Sequence, residues 1–188
     1  MVGLIHKILF DLIKTTGGED AVTKVRERAG IPPDREIKMQ VAYDDAEWRG
    51  LVAATCEVLQ ITPQQAEEAY AAFFYKDALQ RWPMWFTMSK NSREFLERQP
   101  AIHNSLSAGV LDEVARQAVA DKFLIQRTSD GIITHYRSEN RHCGLYKALA
   151  RQIIEHYGDE AVIEEHRCQN AGAEECEIVI RWTKLGAA

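Results

Sequence analysis

The sequence predicts an α+β fold: a helical N-terminal part followed by a small antiparallel four-stranded sheet with packed helices. Two observations carry this. Apolar residues recur at helical spacing from Leu4 to Leu106, whereas the stretch from Phe123 onward reads strand, strand, helix, strand, strand. Helices first and paired strands after is the order of an α+β domain rather than of a parallel sheet. At 188 residues the chain fits one domain with a sizeable core. Within it, residues 1–65 form a helical subdomain, and 66–188 carry the later helices and the sheet.

The elements follow in order. Leu4, Ile5, Ile8, Leu9, Leu12 and Ile13 mark a first helix, which Gly17-Gly18 is expected to end. Asp20 caps a second short helix that closes at Gly30. Residues 32–43 have no helical period and read as a loop. Trp48, Leu51, Val52, Thr55, Val58 and Leu59 make an amphipathic helix opened by Asp44 or Asp45. The next opens at Thr62-Pro63-Gln64-Gln65, which has a capping residue, a proline at the first helical position and a glutamine three residues after the cap. A further helix begins near Ser92. The stretch 107–122 is irregular. Asp130-Gly131 turns a first hairpin and Gly172 a second, with a helix from Leu145 to Tyr157 between them.

Composition excludes several classes. The net charge is −5 with no Lys/Arg block, so the chain has no electrostatic footprint for nucleic acid or for an anionic membrane surface. Charges interrupt every apolar stretch, and Lys7, Asp11 and Lys14 at helical spacing make the start an amphipathic core helix rather than a signal peptide. A cytoplasmic protein is expected, with its four cysteines as free thiols or metal ligands. Cys56 stands apart in a helix pattern and reads as core. His6, His135 and His156 read as surface or partly buried.

His103 is different. Leu96, Gln99, His103 and Leu106 fall on one helix face, so its imidazole points toward the core. Spacing alone fits either a histidine satisfied by a backbone carbonyl or a single axial ligand to an iron porphyrin, which needs one neutral imidazole in an apolar cavity. Pro100, three residues earlier, kinks or restarts the helix. The segment YRSENR, from Tyr136, is either a solvated strand end or a cradle for an anion.

Nearly the whole chain resembles the H-NOX family, the heme-nitric oxide/oxygen binding domains. The resemblance rests on GLIHKILFDLI, GGED, DDAEWRGLVAATCEVLQITPQQAEEAY, SREFLERQPAIH and the hairpin leading into YRS. It implies heme b with His103 as the axial ligand and Tyr136 and Ser138 on the propionates. The motif's arginine position holds Asn140, and Arg141 beside it is expected to recover the contact. The resemblance also places Leu9, Phe74 and Leu145 over the iron. Such a pocket offers no hydrogen-bond donor to dioxygen and implies a nitric oxide sensor without catalysis of its own. The family further implies a signal passed in trans, since this length leaves no room for an output domain, to a histidine kinase or cyclic-dinucleotide enzyme.

The remaining cysteines suggest a second site. His166 and Cys168, two apart on a strand, share a face; Cys176 returns across the Gly172 turn; Cys143 opens the adjacent helix. Three thiolates and an imidazole would close a tetrahedral zinc site, although no C-x-x-C is present and buried free thiols are the commoner arrangement. The resemblance supports zinc and a response to thiol oxidation, with Glu164 and His142 as alternative fourth ligands. A competing reading is a heme-independent module. The C-terminal half also resembles vinyl-reductase-type domains, whose cavity takes an apolar or tetrapyrrole ligand beside a structural zinc. A metalloenzyme is the third and weakest class, because the thiol site has no spare coordination position.

Overall fold

The computed structural model describes residues 1–186. The first helix is α1 (Gly3–Arg28). It does not stop at Gly17-Gly18. Gly18 alone leaves helical geometry, at φ 75° and ψ −177°, and the helix resumes beyond the kink. Only a residue without Cβ takes that conformation cheaply, so the glycine bends the helix instead of ending it.

Next come α2 (Asp45–Leu59), capped by the Asp44 side chain, and α3 (Pro63–Arg81). The capping box forms as the sequence predicts. Gln65 N donates to Thr62 Oγ1 at 3.2 Å and Thr62 N donates to Gln65 Oε1 at 2.8 Å, an arrangement worth about 1 kcal/mol. Three short helices follow: α4 (Pro83–Thr87), α5 (Ser92–Glu97) and α6 (Gln99–Ser107). Pro100 sits in the first turn of α6, where its missing N–H costs nothing, so it restarts the helix rather than kinking it. The stretch 107–122, expected to be irregular, contains α7 (Glu113–Ala120), capped by Asp112.

The sheet is β1 (Phe123–Arg127), β2 (Gly131–Tyr136), β3 (Glu160–Arg167) and β4 (Cys176–Lys184). It is antiparallel throughout, in the order β1-β2-β4-β3, with α8 (Cys143–His156) packed on it. At Gly131 a side chain would strike the Ile180 carbonyl of β4, so the close approach of β4 to the start of β2 requires glycine.

Two cores result. One joins Ile8, Ile13, Val25, Trp48, Leu51 and Tyr70 of the N-terminal helices. The other joins Phe95, Leu96 and Ile102 to Ile132, Ile178 and Ile180 of the sheet and to α8. Each fully buried aliphatic side chain contributes roughly 1.5–3 kcal/mol of transfer free energy. Phe74 packs against both cores, so it lies on the seam between them.

Candidate functional site

The seam gathers the residues the sequence singled out. Leu9 is buried in the helical core, Leu145 packs against that core from α8, and the two line a cavity of about 30 Å³. Phe74 stacks on Tyr70 with centroids 6.1 Å apart. The cavity wall also holds Trp48, Glu67, Tyr70 and His142, polar groups that the sequence reading did not place there. The Trp48 and Tyr70 hydrogens are already committed. Trp48 Nε1 donates to His142 Nε2 at 2.6 Å, and the Tyr70 hydroxyl donates to the Ile5 carbonyl at 3.1 Å. His142 Nδ1 faces Glu67 Oε1 at 3.8 Å. An acceptor entering this space from Leu9 or Leu145 meets hydrocarbon, and the Trp48 and Tyr70 donors beside it are spent.

On the other side, α6 presents His103 to Phe123, with ring centroids 4.6 Å apart. The imidazole is largely buried, and its Nδ1 has no hydrogen-bond partner. Burial, and then the charge of Lys122, push its pKa down to about 3, offset only partly by the Val119 carbonyl. The ring is therefore neutral at physiological pH and carries a free lone pair, the form that ligates a metal.

Tyr136, at the end of β2, is buried beside Phe123 and Tyr146. Burial raises its phenol well above the ordinary range, although Ser138 and the His142 backbone favour the ionised form. Ser138 is also buried and opens a tight turn in which Arg141 N donates to the Ser138 carbonyl at 3.0 Å. That turn puts Arg141 at φ 52° with an exposed side chain. The guanidinium thus lies outside the pocket, against the expectation that it recovers the anion contact. Asn140 is buried instead, donating from Nδ2 to Asp45 Oδ1 at 2.8 Å and leaving its Oδ1 unpartnered. Burial alone would raise the Asp45 carboxyl. Bonds from the Met1 amino group and Asn140, with the Lys122 charge, hold it below the usual carboxylate range.

The thiols converge as the sequence predicts. Cys143 and Cys168 Sγ lie 3.4 Å apart, and Cys176 Sγ lies 3.9 Å from Cys168 Sγ. Gln169 N donates to Cys176 Sγ at 3.2 Å, and Asn170 Nδ2 lies 3.5 Å from Cys143 Sγ. Burial pushes the Cys143 and Cys176 thiols up, and the neighbouring sulfurs add to this at Cys143. The fourth member is Glu165, whose carboxylate lies with the three sulfurs inside a 4.8 Å cluster. His166 is a correction. It is exposed and faces Glu164 and Glu177 at 3.7 and 3.5 Å, because a register shift between Glu165 and Arg167 breaks the strict alternation of faces. The expected alternatives fare no better: Glu164 pairs with Arg181, and His142 turns toward Trp48. His6 is a second correction. It is fully buried in the helical core with Nε2 unpartnered, not a surface residue.

A family model described as Haem-NO-binding matches residues 2–165. The chain belongs to the haem-NO-binding family. This match includes the N-terminal helices and decides against a vinyl-reductase-type module. A soluble guanylate cyclase of Caenorhabditis elegans, gcy-32, is 30% identical over 163 residues, 82% of this chain but only 23% of the cyclase. An H-NOX protein from S. oneidensis in the Fe(II)NO ligation state superposes with a TM-score of 0.81 at 18% identity, covering 98% of this chain and 100% of that one. An oxygen-binding H-NOX domain related to soluble guanylate cyclases, solved as its oxygen complex, gives 0.77 at 18% identity, covering 100% and 98%. This haem-NO-binding domain is therefore a heme-binding gas-sensor domain rather than a catalytic one. None of its helices is long and apolar enough, among the described residues, to cross a membrane.

Proposed function

We propose that the domain is a nitric oxide sensor in which His103 holds a ferrous heme b and the seam between the two cores excludes dioxygen. The observation that carries the reading is His103: a neutral imidazole packed on the Phe123 ring, with Nδ1 buried and unpartnered. An unsatisfied buried nitrogen costs about 1–3 kcal/mol unless a ligand completes it. Tyr136 and Ser138, buried at the end of β2, are the hydroxyl donors for the propionates.

Heme, held by His103 with Tyr136 and Ser138, would supply an iron that binds the gas. The chain supplies the selectivity and the readout. Leu9, Phe74 and Leu145 crowd the gas side, and the nearby Trp48 and Tyr70 hydrogens are spent on His142 and Ile5. Bound dioxygen carries negative charge and needs a donor; nitric oxide does not. The cavity of about 30 Å³ is too small for a macrocycle, so a wall must yield. Helix α7, which packs against α6 and buries no residue, is the element beside His103 that moves most cheaply. Release of His103 on nitric oxide binding would free α6 to shift, and the helical half would turn against the sheet.

The signal then passes to a histidine kinase or cyclic-dinucleotide enzyme in the cytoplasm. The cyclase relative supports the coupling of such a domain to nucleotide signalling. Cys143, Cys168 and Cys176 with Glu165 form a zinc site, supported by four donors within 4.8 Å, and the thiolates make it sensitive to oxidation.

The test is an anaerobic absorption spectrum of protein expressed with added heme precursor, with nitric oxide and then in air. A five-coordinate ferrous spectrum that shifts with nitric oxide and ignores oxygen is expected. A stable oxygen complex would overturn the selectivity, and a colourless protein the heme reading itself.

A further inference from the structure

Two amide side chains join the thiol cluster to the turn after β2. Cys176 lies directly opposite Tyr136 in the β2–β4 register, so the cysteine hairpin and the Ser138 turn leave the sheet side by side. Gln169 bonds to both. Its backbone N donates to Cys176 Sγ at 3.2 Å, and its Oε1 accepts from Ser138 N at 3.1 Å. Its Nε2 donates to the Glu174 carbonyl at 3.2 Å, which fixes the side chain. Asn170 Nδ2 lies 3.2 Å from the Arg141 carbonyl and 3.5 Å from Cys143 Sγ. Both ends of the Ser138–Arg141 turn are thus bonded to residues that are themselves bonded to sulfur.

The turn carries much of its own weight on these two bonds. Its other backbone bond, from Arg141 N to the Ser138 carbonyl, is internal, and Asn140 ties it to Asp45 on the helical side. Gln169 and Asn170 stand in a short 3-10 turn between Cys168 and Cys176, whose sulfurs are 3.9 Å apart. As free thiols these sulfurs hold one another by weak hydrogen bonds. Tied to one metal ion, they fix the segment between them and both amides with it. We propose that Gln169 and Asn170 are positioning residues through which zinc at the thiol site holds the Ser138–Arg141 turn, so that metal in one site slows heme loss from the other. The inference rests on the heme and zinc readings above and deepens them. The metal-loaded hairpin is the same in every gas state, and only loss of its metal reaches the heme.

The experiment follows heme transfer from the full chain to apomyoglobin, before and after zinc is extracted with pyridine-2,6-dicarboxylate while the thiols are kept reduced. Extraction should speed heme loss from the wild type by about tenfold, the range of one or two hydrogen bonds. Truncating both amides removes the links to the turn but leaves the backbone bond from residue 169 to Cys176. The Gln169→Ala/Asn170→Ala double variant should therefore keep stoichiometric zinc, lose heme as fast as the zinc-free wild type, and show no further change on extraction. Gln169→Glu, which keeps an acceptor for Ser138 N, should behave as the wild type does. Wild-type heme loss that ignores zinc would overturn the inference with both readings intact. So would a double variant that responds to extraction as fully as the wild type, which would make the metal a general support of the fold. A chain that takes up heme but no zinc overturns the zinc reading and the inference together, and one that takes up no heme overturns the heme reading and the inference.

Discussion

The His103 segment and the thiol cluster are built in opposite ways, although both were picked out from a few polar residues in an apolar pattern. Around His103 the chain is broken into short helices. α7 buries no residue, Leu111 and Val114 are 84% and 80% exposed, and the imidazole Nδ1 has no partner. Around Cys143, Cys168 and Cys176, two strand ends, a helix start and backbone or amide donors converge within hydrogen-bonding distance. The first region is incomplete on its own, and the second is nearly closed. A sensor needs this asymmetry, since the part that moves must be held weakly against a part that does not.

Removing the axial ligand should sharpen the contrast most. His103→Gly is expected to lose most of its heme and its five-coordinate spectrum, while free imidazole added to the cavity restores both. The readout is the visible absorption of reduced protein with and without imidazole. An unchanged spectrum would remove His103 from the iron. At the thiol site, Cys143→Ala should eliminate stoichiometric zinc, measured by metal analysis, and lower the melting temperature by about 4–8 °C, as expected for roughly 2 kcal/mol in a domain of this size. Glu165→Gln should weaken zinc retention against a chelator, whereas His166→Gln should not. The opposite order would restore the histidine that the strand alternation suggested.

The smallest effect belongs to a residue outside both sites. Burial is the main cause that lowers the pKa of His6, with the Val2 carbonyl and Glu47 opposing it. A folded pKa below the unfolded value of 6.5 means the unfolded chain binds more protons in that window. The stabilising contribution is therefore complete above about pH 6.5 and is lost as pH falls toward the native value. Heme-free protein should melt lower at pH 5.5 than at 7.5, and His6→Leu should flatten that slope. An unchanged slope would assign the acid sensitivity to other groups.

How much of this was legible follows from which signals are local. The capping box at Thr62, the hairpin at Asp130-Gly131 and the turn at Gly172 depend on neighbouring residues, and each forms as read. Helix α7 was missed because its apolar stripe, Val114, Ala115, Ala118 and Val119, spans only eight residues, too short a window to show the helical period. His166 was chosen because alternation places it beside Cys168, and a register shift two residues earlier substitutes Glu165. His6 looked like a surface residue because a lone histidine in a helix shows no sign of the Trp48 and Tyr43 rings that close over it. Asp45, Trp48 and Lys122 reach the site from distant parts of the chain, and only the fold brings them to Asn140, His142 and His103.

The central claim is that the His103 segment is completed by its ligand and released by the gas while the thiol hairpin stays fixed. Hydrogen exchange of the heme-free, ferrous and nitric oxide-bound forms tests it most directly. The account predicts that protection across residues 99–120 rises when heme binds and falls again with nitric oxide, with no change in residues 160–184. Parallel changes in both regions, or none in residues 99–120, would contradict it.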